Sequence, residues 1–320
     1  MNTIKTGSND GILGMQMISK NKHGNATKIE IINTGTFEAY KIPSVIVFCE
    51  DKVAEEVIIN ALSYKKMNVG SFKFRRCGTW TNIIISLAGC ILYSQELINS
   101  GNSKTLEVVG IIDGDINDYD IEKVISETFE GDFIPEQLKE ITHLISKHII
   151  SFKIPTAVLS KKNITGKPEL NLKKMVDEIN SNMVKEPFKK RVTELCGFLE
   201  KAKDDNSKRN IKFELDDIFK EQEETLKIIK ISNNIAFHEN DGIINYHSYF
   251  KKLQKKLGNT SFRSYGFTHQ PIFLVYRIVS KYNKNRWEEY INPVINFLES
   301  AEKRQTENFS HHTFNNTKID

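Results

Sequence analysis

The chain has little cysteine, no long apolar run and almost no net charge, and each shortage removes a class of protein. Four cysteines in 320 residues, at positions 49, 77, 90 and 196, show no CxxC spacing. That excludes a zinc ribbon and a disulfide-stapled miniprotein, and it fits a reducing cytoplasm. The longest apolar stretch, Ile83 to Tyr93, is interrupted by Ser86 and Gly89. It falls short of the ~18 residues of a spanning helix, so no membrane segment is expected. The first residues, MNTIKTGSNDGILGMQMISKNK, contain no apolar core of signal-peptide length. No G-x-x-x-x-G-K-[ST] motif occurs, so ATP is not bound through a P-loop. The net charge is only +4, from 45 basic and 41 acidic residues.

What is present is ordinary in amount and uneven in placement. Hydrophobic residues make up 39% and charged residues 27%, the composition of a globular chain long enough for two domains. Residues 1–150 carry 15 Lys/Arg against 19 Asp/Glu, and residues 151–320 carry 30 against 22. An acidic front half and a basic rear half hint at a polyanionic partner.

Residues 1–27 lack clear periodicity and read as a flexible lead-in, with a short strand at 28–32. Segment 44–49 is a continuous β-branched apolar run and 106–112 a further buried strand, 71–76 reads as a strand closed by the Gly78-Thr79 turn, and 149–159 reads as a fourth. Helices are expected after Asp51, over 79–99 and over 118–130. Strands alternating with helices imply right-handed crossovers and a mainly parallel sheet. Beyond about residue 165 the strands stop. Segments 170–182, 187–202, 213–232, 243–257, 271–284 and 286–302 read as helices, with a polar linker at 201–210. The expected fold class is a mainly parallel α/β domain over 28–165, an all-helical domain over 166–303 and a polar tail over 304–320 carrying the His311-His312 pair.

The informative residues are acids at strand ends. Glu50 follows SVIVFC, and Asp113 and Asp115 follow LEVVGII with Gly114 between them. Open α/β sheets bind ligands beyond the carboxyl ends of their strands, at a topological switch point. Three carboxylates converging there repel one another and call for a cation. Oxygen ligands without His or Cys suit Mg²⁺, with Mn²⁺ as an alternative. Asp118 reads as a helix N-cap.

Glu after one strand, Gly78-Thr79 after the next, and Asp-x-Asp after the third resembles the TOPRIM domain of topoisomerases, primases, small RNA maturases and overcoming-lysogenization-defect (OLD) nucleases. The resemblance covers residues 44–160. It implies a TOPRIM-like Rossmannoid sheet, with Glu50 as a metal-linked acid/base residue and Asp113 and Asp115 as Mg²⁺ ligands. It also offers Glu169 as a further downstream acid. Lys161 or Lys162, Arg75 and Arg76 are candidate phosphate contacts. With too little chain for a topoisomerase gate, a compact nuclease remains, similar to OLD-like and PARIS-type anti-phage effectors. Such a resemblance implies a toxic, cytoplasmic endonuclease restrained by a separate P-loop ATPase subunit. Its substrate is DNA or RNA, tRNA included, and a homodimer is an expected assembly.

Lysines and aromatics mixed over 243–290 suggest phosphate neutralisation and base stacking. His238, His247 and His269 show no partner at metal spacing. Two other readings stand beside the nuclease. One is a non-catalytic module that holds Mg²⁺ structurally and docks nucleic acid or a partner. The other, a haloacid-dehalogenase-like phosphatase, wants its nucleophilic Asp after the first core strand, whereas Asp113 follows the third.

Overall fold

The residues that read as buried strands pair side by side. In the computed structural model, which describes residues 4–9, 12–20, 26–30, 42, 44–100, 106–114, 116–131, 133–152, 167–237, 239–240, 243–244, 247–258, 262–265 and 270–315, the chain opens with three strands. These are β1 (Ile4–Asn9), β2 (Ile12–Lys20) and β3 (Ala26–Glu30), which form an antiparallel sheet. The expected flexible lead-in over 1–27 is therefore corrected. Asn9 pairs with Ile12, and the dipeptide between them, Asp10-Gly11, is the composition a two-residue hairpin favours.

The second sheet is parallel and holds β4 (Val45–Cys49), β5 (Phe72–Arg76), β6 (Val108–Ile112) and β7 (Ile149–Ser151) in the order β5-β4-β6-β7. Ile46 lies opposite Val108, and Val45 opposite Phe72. The first of these four strands in chain order, β4, thus lies inside the sheet. Helix α1 (Lys52–Tyr64) carries the chain from β4 outward to β5, and α2 (Trp80–Asn99) returns it across β4 to β6. Connections leave β4 and reach β6 in opposite directions, so the switch point lies between these two strands.

Both faces of the sheet are covered, which is why β6 is buried at every position. On one face, Ala54, Val57, Ile58, Ala61 and Leu62 of α1 pack over Val45, Val47 and Cys49. On the other, α2 packs with α3 (Asp118–Thr128) and α4 (Pro135–Ser146) over Val108 and Ile112. Helix α2 has Glu96 as its sole charged residue, and by length and composition it could cross a membrane. It meets the sheet through Ile83, Ile84, Leu87, Ala88 and Ile91. Its approach is close: a Cβ on Gly110 of β6 would lie 2.8 Å from Ile83 Cγ2. Ile83 is β-branched and stiff at χ1. Gly110→Ala is therefore expected to push α2 off the sheet and cost about 1–3 kcal/mol, read as a lower urea midpoint. An unchanged midpoint would contradict this packing.

The remaining helices are α5 (Pro168–Asp177), α6 (Ser181–Lys201), α7 (Asp205–Asn233), α8 (Ser248–Leu257), α9 (Pro271–Tyr282) and α10 (Lys284–Asn315). Strands β8 (Glu239–Asn240) and β9 (Ile243–Ile244) form a small antiparallel pair where a helix was expected. One hydrophobic core runs from Val45 and Val47 through α1, α5 and α9 to Leu298 and Ala301 of α10. The expected boundary near residue 165 falls among residues 153–166, outside the described residues, as do residues 153–159 of the expected fourth strand.

Two polar segments need correcting. The expected linker at 201–210 shrinks to residues 202–204, because Asp204 caps α7 by accepting from Ser207 N at 2.7 Å. The first turns of α7 are largely solvent-facing, so they carry little apolar stripe to read. The expected polar tail at 304–320 is helical to Asn315. Arg304 Nε donates to buried Glu107 just before β6 at 2.8 Å, and Gln305 accepts from Glu107 N.

Candidate functional site

Glu50 is held by its own backbone. Parallel pairing continues past the end of β4 and β5, where Cys77 N donates to Cys49 O and Gly78 N to Glu50 O, each at 2.8 Å. Gly78 has φ +85°, a conformation costly for residues with a Cβ. Thr79 then caps α2 by accepting from Asn82 N. Asp113 leaves the neighbouring strand at the same level, and its N–H donates to Glu50 Oε1 at 3.3 Å. The first two acids of the expected cluster therefore meet at the switch point. Asp115 lies outside the described residues.

A cation lies between these carboxylates. Lys167 Nζ is 2.8 Å from Asp113 Oδ2 and 4.0 Å from Glu50 Oε2. It directly precedes Pro168, whose fixed φ suits the first position of α5. Asp113 is buried, and its carboxyl is pushed up to about 7, by burial first and then by the charge of Glu50, with Lys167 opposing both. Two carboxylates whose charges act on one another favour a bound cation or a retained proton.

A second group adjoins the first. Glu169, on the first turn of α5, is buried at 2% exposure, and the His247 Nδ1–H donates to its Oε1 at 2.9 Å. The same imidazole nitrogen lies 4.0 Å from Asp51 Oδ2. Asp51 Oδ1 caps α1 by accepting from Ala54 N at 2.9 Å. The hydrogen bond to Glu169 raises the His247 pKa, against desolvation. Glu169 was expected as a downstream acid, and the structure brings it near enough to Asp113 for its charge to act there. His247 and Lys167 are additions. His247 lies 78 residues from Glu169, so spacing along the chain could not reveal the pair. Lys167 left a fainter signal, a Lys-Pro-Glu entry to an apolar helix.

The other expected contacts fare differently. Arg75 and Arg76 lie on edge strand β5; Arg75 is exposed, and Arg76 pairs with Glu55. Lys161, Lys162, His238 and His269 lie outside the described residues. Base stacking by Tyr249, Tyr265, Tyr276 or Trp287 is corrected, since all four are buried in the core. Lys252 and Lys256 donate to the carbonyls of Ala236 and Asn234, at and just beyond the end of α7, which leaves Lys251 and Lys255 exposed on α8. The N-cap of α3 is Asn117 rather than Asp118, with Asp120 completing a capping box.

Fold and site together define a mixed α/β protein in which a small parallel sheet presents acids at its carboxyl edge. No family model, curated protein or solved structure matches the chain.

Proposed function

We propose that the chain is a Mg²⁺-dependent nuclease of TOPRIM type that cleaves nucleic-acid phosphodiesters. The observation behind this reading is the meeting of Glu50 and Asp113 on neighbouring parallel strands at the switch point. Two hard carboxylates and a raised Asp113 pKa fit Mg²⁺ or Mn²⁺. When bound, the ion would polarise a phosphoryl oxygen and lower the pKa of its water. The chain's own residues do the rest. Asp113 and Glu50 would hold the ion, and Glu50, the more exposed of the two, would accept a proton from water. Lys167 meets the phosphate charge that enters between them. Arg75, exposed on the sheet edge, and the lysines of α8 supply neutralising charge to the flanking backbone.

The resemblance to OLD-like and PARIS-type effectors extends the proposal to a defence toxin restrained by a separate P-loop ATPase. A non-cutting module, which the Lys167–Asp113 pair favours because it already compensates Asp113 without an ion, is the second reading. The test is incubation of the purified chain with plasmid DNA, single-stranded RNA and tRNA, with Mg²⁺, Mn²⁺ or chelator. Cleavage is expected with metal and not with chelator, and Glu50→Gln and Asp113→Asn should each remove it. Cleavage by both variants at the wild-type rate would exclude this site. Binding without turnover under every metal would favour the module.

A further inference from the structure

We propose that Lys167 regulates metal entry by competition: its ammonium and a divalent ion exchange at one position between Glu50 and Asp113, so the ion binds only as the lysine leaves. The inference rests on Glu50 and Asp113 being the ion's ligands, as read above, and not on their cutting nucleic acid.

The contacts put the ammonium between the oxygens an ion would use. The Asp113 N–H engages Glu50 Oε1, and the other oxygen of Glu50 lies toward the lysine. Nζ is 2.8 Å from Asp113 Oδ2 and 4.0 Å from Glu50 Oε2. One cation thus serves both carboxylates, the role a Mg²⁺ held by two acids would take. The three side chains are 7% (Asp113), 12% (Glu50) and 20% (Lys167) exposed, so salt and water screen little between them. An ammonium and a divalent ion on the same buried oxygen repel strongly. The pair of acids therefore holds one cation or the other.

Exchange needs no refolding, because the lysine is fixed at its main chain and not at its head. Lys167 O accepts from Asn171 N at 3.1 Å at the start of α5, and Pro168 locks the next φ. The ammonium instead hangs on a flexible four-carbon stem. That stem reaches solvent, and the charge at its end is also felt by the exposed imidazole of His247. The head can therefore leave the two acids while α5 stays in place. Once displaced, it is available to the phosphate that arrives with the ion.

The test is calorimetric titration of the full-length chain with Mg²⁺ and Mn²⁺, comparing wild type, Lys167→Met and Lys167→Arg. Met keeps an unbranched stem and drops the charge, whereas Arg keeps the charge. Affinity for each ion is expected to rise about tenfold or more in Lys167→Met and to stay near the wild-type value in Lys167→Arg. Thermal melting adds a second reading. In chelator the Met variant should melt below wild type, having lost the cation that compensates two acids, and saturating Mn²⁺ should close the gap. A third reading uses the unaltered chain: acetylation of Lys167 by an N-hydroxysuccinimide ester, followed by mass spectrometry, should run several-fold faster with saturating Mg²⁺ than with chelator. Unchanged or weaker metal affinity in Lys167→Met would overturn the proposal. So would a Lys167 acetylation rate indifferent to Mg²⁺, or no binding of either ion by any of the three proteins. Cleavage is scored separately. A chain that cuts nucleic acid yet binds metal equally with Lys or Met at 167 keeps the nuclease reading and loses this one. A chain that never cuts but binds ions more tightly as Lys167→Met does the reverse.

Discussion

Asp113→Asn is expected to make the protein more stable at pH 8 while removing its response to Mg²⁺. Burial, and then the charge of Glu50, push the folded-state carboxyl up to about 7 from its ordinary 3.8, so the folded chain holds this proton more tightly than the unfolded chain does. Between those two values the folded state binds more protons, and stability therefore falls as pH rises through that window and levels off above it. Asn resembles the protonated acid and lacks the penalty. At about 1.36 kcal/mol per pKa unit, the gain at pH 8 approaches roughly 4 kcal/mol, less what Lys167 loses with its partner. At pH 4 the two proteins should be nearly equal. Urea denaturation of both proteins across pH 4–8 measures this. Parallel pH profiles would show that Asp113 is not strained. Added Mg²⁺ should raise the wild-type melting temperature and leave that of the variant unchanged.

The second large effect is expected at the other end of the sheet. Glu107 is fully buried beside β6, with Arg304 Nε at 2.8 Å and His148 Nε2 at 3.5 Å. Breaking a buried ion pair by removing one partner leaves a desolvated charge and costs about 3–5 kcal/mol. Because the Arg304 side chain is 38% exposed, water screens part of that cost, and Arg304→Ala should cost about 3 kcal/mol. Deleting residues 304–320 should cost at least as much, since it also removes Gln305. Glu107→Gln introduced with Arg304→Ala should restore part of the loss, because the remaining group is then neutral. A denaturant double-mutant cycle gives the coupling. Additive effects would mean that Arg304 and Glu107 do not act as a pair.

How much of this was readable in the sequence depends on the range of the forces involved. The two inner strands of the parallel sheet were legible because a strand buried on both faces has to be apolar at nearly every position, as VIVFC and VVGII are. Glu50 and Asp113 were legible because strand order places carboxyl ends together. A strand was expected at 28–32, where β3 lies, but β1 and β2 were missed even though an Asp-Gly dipeptide was in view. Asn-Asp-Gly-Ile occurs at 9–12 and again at 240–243, and both copies join antiparallel pairs. The end of α10 was missed because Arg304 and Gln305 pack through polar contacts with Glu107, which hydrophobic periodicity cannot register. His247 was missed because β8 and β9 turn the chain before α8 and bring the imidazole to Glu169, a contact set by tertiary packing alone.

The side-chain cluster at the sheet's carboxyl edge is assembled from four well-separated stretches: Glu50-Asp51, Asp113, Lys167 to Glu169, and His247. During synthesis at about 5–20 residues per second, His247 is added roughly ten seconds after Asp113. Through that interval a nascent chain carries its strand-end acids but not the full set of groups that surrounds them. The set is complete only once the chain has been made as far as residue 247.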